Sequence, residues 1–237
     1  MAITERQGDI LNGIVQEYIN SAQPISSQSL EKKAKFGICP ATIRIEMQKL
    51  TDKGYLCQPH TSAGRVPTDK GYRFFVDDLL KREFNDWVEI EKLFAEKIKD
   101  EIRFIQVLTK SLAVYSQVLT FSYLEEEKIF WKEGWEGVLR EPEFGEKDYL
   151  FGFTDFLEEF EKGIEDFEIN SGIKIYIGKE SPWKSAKNFS IISSRCHLPN
   201  DKEGILSLIG PKRMDYDKNI GSLNSLIRLL EQQRGRK

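Results

Sequence analysis

Histidine is nearly missing from this chain, and with it any histidine-based metal site. His60 and His197 are the only two histidines in 237 residues, and they lie far apart without metal-ligand spacing. The signatures GxxxxGKS/T, GxGxxG, GxSxG and HExxH do not occur, so no phosphate-cradling loop, dinucleotide turn, serine elbow or zinc helix is expected. The three cysteines, Cys39, Cys57 and Cys196, are odd in number and form no CxxC pair, which argues against a disulfide framework and for the reducing cytoplasm. No apolar run is long enough for a bilayer span. The opening residues MAITERQGDI carry no apolar signal region, so neither a membrane partner nor export is expected. There is no internal repeat or low-complexity segment. Enzymatic activity and a cofactor are therefore not expected.

What is present is an ordinary globular balance, 40% hydrophobic and 31% charged residues, in enough chain for one large or two ordinary domains. The net charge of -3 hides an asymmetry. From Ser26 to Val76, nine bases (Lys32, Lys33, Lys35, Arg44, Lys49, Lys53, Arg65, Lys70, Arg73) face four acids, a net of +5. From Thr120 to Asn170, 16 acids face five bases, a net of -11. A basic head suited to a polyanion thus precedes an acidic body, although an acidic surface also serves solubility alone.

The stretch from Pro40 to Leu80 carries the most information. Upstream of it, Thr4 and Gln7 form a capping-box pattern, and Ile10, Leu11, Ile14, Val15, Tyr18 and Ile19 mark one face of a first helix. Gln23-Pro24 breaks that helix. Ser26 or Ser27 can cap a second, in which Leu30 and Ala34 face inward and which Phe36-Gly37 ends. Cys39-Pro40 opens a third helix, with proline where no amide donor is needed. Ile43, Met47 and Leu50 should face the core, leaving Ala41, Thr42, Arg44, Ile45, Gln48 and Lys49 outward. Lys53-Gly54 is a stop signal. Tyr55 to Gln58 and Arg65 to Pro67 read as two short strands around a polar tip, Pro59 to Gly64. Thr68 caps a fourth helix carrying Tyr72, Phe75, Val76 and Leu79. Three helices, a two-stranded wing and another helix describe a winged helix-turn-helix, a fold mostly used to place one helix in the DNA major groove.

Downstream, apolar positions from Phe84 to Tyr115 (Trp87, Ile90, Phe94, Ile98, Ile102, Ile105, Leu108, Leu112) keep helical spacing, as one long helix or two, serving as connector, dimer seam or both. The period then changes. Val118–Leu124, Lys128–Trp131, Ile173–Ile177, Phe189–Cys196 and Gly204–Ile209 read as strands, and Tyr149–Phe167 and Asp215–Gln232 as helices, an α+β body. The organisation expected is a DNA-binding domain at 1–82, a helical connector or dimerisation segment at 83–117, and an α+β domain at 118–237.

The candidate chemistry is recognition rather than catalysis. Arg44 can bind guanine O6 and N7, Gln48 can bind adenine N6 and N7, and Thr42 lies in the same early turns. Lys49 suits a phosphate. Ser27, Gln28 and Ser29 sit at a helix start, which attracts anions. His60, Thr61, Ser62 and Arg65 belong to the wing and suit backbone or minor-groove contacts. Ile45 either touches a thymine methyl or packs on a neighbouring helix, and Arg44 could instead pair with Glu46 or Asp52. Cys39, beside Pro40, is either a thiol with lowered pKa or a passive substitute for a serine cap. The clusters Glu125-Glu126-Glu127 and Glu158-Glu159 read as solvated faces, and Phe151, Phe153, Phe156 and Phe160 as core.

The segments PATIRIEMQKL, GYLCQPHTSAGRVPTDKGYRFFVDDLL, IKIYIGKESP and GPKRMDYDKNIGSLNSLI resemble the heat-inducible transcription repressor family, HrcA. HTSAGRVPTDKGYR and IGPKRMDY are the most specific, and Trp131 to Phe144 resembles the family's middle region more loosely. The resemblance implies a homodimeric repressor of chaperone operons that binds an inverted repeat in double-stranded DNA, with the chaperonin as modulator. It implies a winged-helix head on a GAF-like α+β body, into which the family usually inserts a further dimerising domain. This chain is too short between Leu124 and Ile173 to hold that domain. It departs from the family at Cys39 (usually serine), Ile45 (expected asparagine) and Gln28 (expected arginine). The last two imply an altered operator or weaker phosphate contacts. An alternative is a ligand-gated winged-helix regulator that uses the GAF-like body as a small-molecule sensor. A further alternative uses the winged helix for protein contacts alone.

Overall fold

Helix α1 (Glu5–Ser21) begins on the capping box the sequence predicts: the Gln7 amide donates to Thr4 Oγ1 and the Thr4 amide to Gln7 Oε1, each at 3.3 Å. The computed structural model describes residues 3–33, 36–84, 90, 98, 100–167, 169, 172–198 and 202–234. The chain divides into two compact units, Met1–Glu83 and Phe84–Lys237.

In the first unit, α1 is followed by α2 (Ser27–Lys33), α3 (Pro40–Asp52), strands β1 (Leu56–Cys57) and β2 (Val66–Pro67), and α4 (Asp69–Leu79). Ser26, not Ser27, is the α2 cap, since its Oγ accepts from the Ser29 amide at 3.1 Å. Helix α3 ends as Lys53-Gly54 predicts. Gly54 takes φ +77, its amide donates to Thr51 O, and the Tyr55 amide donates to Leu50 O. Those are the paired bonds of a left-handed helix stop, which glycine allows without strain. Thr68 accepts from the Gly71 amide to start α4 and donates to Gly54 O at 2.7 Å, tying the start of α4 to the end of α3. Ile10, Leu11, Ile14, Val15, Leu30, Ile43, Leu50 and Val76 fill the core.

β1 and β2 pair antiparallel, Leu56 with Pro67 and Cys57 with Val66. The sequence did not reveal that Ile25 forms a bridge with Arg65, each amide donating to the other's carbonyl at 2.9 and 2.8 Å.

In the second unit, α5 (Glu101–Ser116), β3 (Leu119–Leu124), β4 (Ile129–Glu133), α6 (Trp135–Leu139), α7 (Lys147–Gly163), β5 (Ile173–Ile177), β6 (Phe189–His197), β7 (Glu203–Pro211) and α8 (Tyr216–Arg234) follow in order. The five strands form one antiparallel sheet in the order β4-β3-β7-β6-β5. This half is α+β, as its mixed periods predict.

The two faces of the sheet differ in chemistry. One carries Leu119, Phe121, Tyr123, Phe189, Ile191, Ile205 and Ile209 against Phe153, Phe156, Leu157 and Phe160 of α7 and Trp183, with Phe156 and Phe189 stacked 5.5 Å apart. Each such ring stabilises the fold by about 1.5–3 kcal/mol. On the other face hydroxyls meet the helices: Thr109 of α5 lies 2.6 Å from Ser122, and Tyr216 of α8 lies 2.7 Å from Ser190.

Phe151, expected in the core, is 62% exposed instead, because it stands two residues from buried Phe153 and so points to the other side of α7. Trp87 and Phe94 of the expected seam, and Ala34 of the second helix, lie outside the described residues. Ile102 of α5 is exposed, and α5 buries Phe104, Ile105, Leu108 and Leu112.

Candidate nucleic-acid interface

The 3.6-residue period of α3 decides which of its side chains reach solvent. Ile43, Met47 and Leu50 form the buried stripe, and Glu46 falls within it, 9% exposed. Ala41, Arg44, Ile45, Gln48 and Lys49 are exposed, and Thr42 is half-buried. Pro40 supplies the first turn, and Cys39 stands at the cap position without a side-chain cap hydrogen bond. Its Sγ lies 3.3 Å from Thr42 Oγ1, and that contact holds the thiol below its usual pKa.

The exposed side chains of α3 are not equally free. The Gln48 amide is committed at both ends: Nε2 donates to Asp52 Oδ1 at 2.8 Å, and Oε1 accepts from Arg65 at 2.9 Å. Arg65 also donates through Nε to Thr51 Oγ1 at 3.0 Å. Lys49 pairs with Glu46 at 2.8 Å. Arg44 and Ile45 have no hydrogen-bond or ion-pair partner among the described residues. The alternative pairing of Arg44 with Glu46 or Asp52 is not formed, because those carboxylates face Lys49 and Gln48. Ile45 is 56% exposed, so among the described residues it is not packed into the core of its unit.

Glu46 was missed as a structural residue, although its spacing from Ile43 and Leu50 puts it on the buried stripe. Its Oε2 accepts from Gln7 Nε2 at 2.7 Å, and Gln7 Oε1 accepts from Lys53 at 2.9 Å. The bond from Lys49, then that from Gln7, holds the Glu46 carboxyl below the usual range. This network ties the start of α1 to α3.

Beside α3, the segment 58–64 is folded on Gln58, whose Nε2 donates to Thr61 O at 2.8 Å and Ala63 O at 3.0 Å. His60, Thr61 and Ser62 at its tip are exposed, Gln28 and Ser29 are exposed and half-buried, and Ser27 is buried. A surface cleft of about 290 Å³ gathers Ser26, Ser27, Arg44, Met47, Gln58, Ser62 and Arg65 with Ile25, Ala63 and Gly64. The structure therefore brings candidates from α2, α3 and the loop around one open groove.

Among the described residues no group of three His, Cys, Asp or Glu side chains is placed to hold a metal ion, and no helix is long and apolar enough to cross a membrane. Fold and surface define a two-unit α+β protein whose exposed polar helix and adjoining cleft form its candidate contact site. The family described as "HrcA protein C terminal domain" matches residues 72–220, more than half of the chain. The chain belongs to the HrcA family.

The Heat-inducible transcription repressor HrcA of Alkaliphilus metalliredigens is 29% identical over an alignment of 335 residues that covers 96% of this chain and 97% of that protein. The alignment is longer than this chain's 237 residues, so at least 98 of its positions, the difference between 335 and 237, have no counterpart here. The repressor of the same name from Pelotomaculum thermopropionicum is 41% identical over 123 residues, 52% of this chain and 35% of that protein. A crystal structure described as a hypothetical protein matches with a TM-score of 0.83 at 20% identity, covering 98% of both chains, which shows the fold.

Proposed function

We propose that this chain is a sequence-specific DNA-binding repressor of heat-shock (chaperone) operons in the cytoplasm, binding an inverted-repeat operator as a homodimer with the chaperonin as modulator. Residues 1–82 act as a winged helix-turn-helix. Helix α3 enters the major groove, and the segment 58–64 is the wing. Arg44 and Thr42 read base edges. Gln28, Ser29, Lys49, His60, Thr61, Ser62 and Arg65 position the phosphate backbone, with Ser27 buried beneath them. The observation that carries this reading is Arg44: exposed on the outer face of α3, unpaired among the described residues, and lining an open cleft with Arg65, Gln58 and Ser62. An unpaired guanidinium on an exposed helix face suits a guanine edge, which it can bind with two parallel bonds.

The body, 118–237, is GAF-like in this proposal, and the segment 83–117 is the helical connector that carries the dimer contact. The exposed Ile102 and Val114 of α5 support that place for the contact.

The test is binding to an inverted-repeat duplex from a chaperone promoter against a scrambled duplex, across a salt series. A preference of about a thousandfold or more, with affinity falling steeply as salt rises, is expected. Equal affinity for the two duplexes, with and without chaperonin, overturns the reading.

A further inference from the structure

We infer that Ile45 reads the 5-methyl group of a thymine, so that one position in each half of the operator must be T·A. This rests on the DNA-binding reading above and adds the identity of a base.

Ile45 stands on the outer face of α3 beside Arg44, on the opposite side from the stripe of Ile43, Met47 and Leu50. At 56% exposure it contributes little to the core of its unit. A β-branched residue in an exposed helical position also gains nothing for the helix, since its χ1 freedom is lost against the preceding turn. That same stiffness is useful in a contact, because the side chain is already held in one rotamer and little entropy remains to be lost on binding.

The major groove presents one apolar group on its base edges, the thymine methyl. An isoleucine carried there has no donor or acceptor for any other feature. Its neighbours leave it the role: Gln48 is bonded at both ends to Asp52 and Arg65, and Lys49 is bonded to Glu46. Arg44 and Ile45 are therefore the two long side chains on this face that can meet a base without first giving up a partner.

The experiment replaces each thymine of the inverted-repeat duplex, symmetrically in both halves, with deoxyuridine, which removes only the methyl. Binding of the wild-type chain and of Ile45→Ala is measured on each duplex. The exposure of Ile45 makes Ile45→Ala a variant that keeps its fold, and a melting temperature matching the wild type checks this. At one thymine position, deoxyuridine is expected to weaken wild-type binding by roughly fourfold per half-site, the worth of one buried methyl. The same replacement should cost Ile45→Ala nothing further. If no thymine shows the effect, or if both proteins show it equally while still preferring the inverted repeat, the inference is overturned and the repressor reading stands. If the wild type does not distinguish the inverted repeat from scrambled DNA, both fall together.

Discussion

Arg65 and Gln48, 17 residues apart in sequence, are joined at 2.9 Å from guanidinium to amide oxygen, while Arg65 Nε holds Thr51 Oγ1 at 3.0 Å. The arginine therefore fastens the start of β2 to the last turns of α3. Its own backbone pairs with Ile25 on the other side. One residue thus ties together the three segments that line the cleft.

That coupling predicts non-additive behaviour. Arg65→Ala and Gln48→Ala should each weaken operator binding, but the double variant should lose less than the two losses combined, with a coupling of about 0.5–1.5 kcal/mol, the worth of one hydrogen bond. Titration of the four proteins against one duplex measures it. Strictly additive losses would show that the two side chains contact DNA independently.

Arg44 is predicted to behave differently, because it has no internal partner to give up. Arg44→Ala should cost about 1–3 kcal/mol on the inverted repeat and much less on scrambled DNA. Its melting temperature should match the wild type within error. An equal loss on both duplexes would make Arg44 a phosphate contact rather than a base reader.

Most regular elements were legible in the sequence because the periods and caps agree with the burial. The strand Ile173–Ile177 and the stop at Gly54 are cases where local chemistry is sufficient. The strand expected to begin at Lys128 begins at Ile129 because Lys128 takes φ +54 in the preceding turn. The short helices at Pro142–Gly145, Gly178–Glu180 and Lys184–Asn188 carry too few residues to show a period. On the candidate face, exposure was legible from helical spacing, but occupancy was not. The bonds that commit Gln48 and Lys49 depend on Arg65 and Glu46, and the Glu46 site depends on Gln7, 39 residues away.

Gly64 is predicted to be intolerant of any side chain. A Cβ added there would stand 2.4 Å from the Ile25 carbonyl oxygen, a backbone atom that cannot rotate away. Gly64→Ala should therefore push Arg65 from Ile25 and destabilise the first unit by about 1–3 kcal/mol. Gly152→Ala, with nothing within 4 Å of the added carbon, should be stabilising by about 0.5–1 kcal/mol, since it lies within α7. Denaturant unfolding of the full-length variants reads both signs. A neutral Gly64→Ala would mean that the Ile25 bridge shifts without cost.

The acid limb of stability is predicted to depend on Glu46. Its carboxyl is held below the ordinary 4.5 by Lys49 and by Gln7, so the folded state favours the ionised form. The stabilisation is fully present above the unfolded-state pKa near 4.5 and is lost as pH falls through the lower folded value. Glu46→Gln cannot ionise and also sets an amide donor against the Lys49 ammonium or the Gln7 amide. At pH 7 it should be less stable than the wild type by about 1.5–3 kcal/mol, the range for a hydrogen bond to a charged group. Urea unfolding of both full-length proteins, followed by a probe in α1 or α3, should show that gap narrowing as pH is lowered below the carboxylate range. A gap that stays constant across the acid range would mean that the cost of Glu46→Gln is packing alone, with no contribution from the charge.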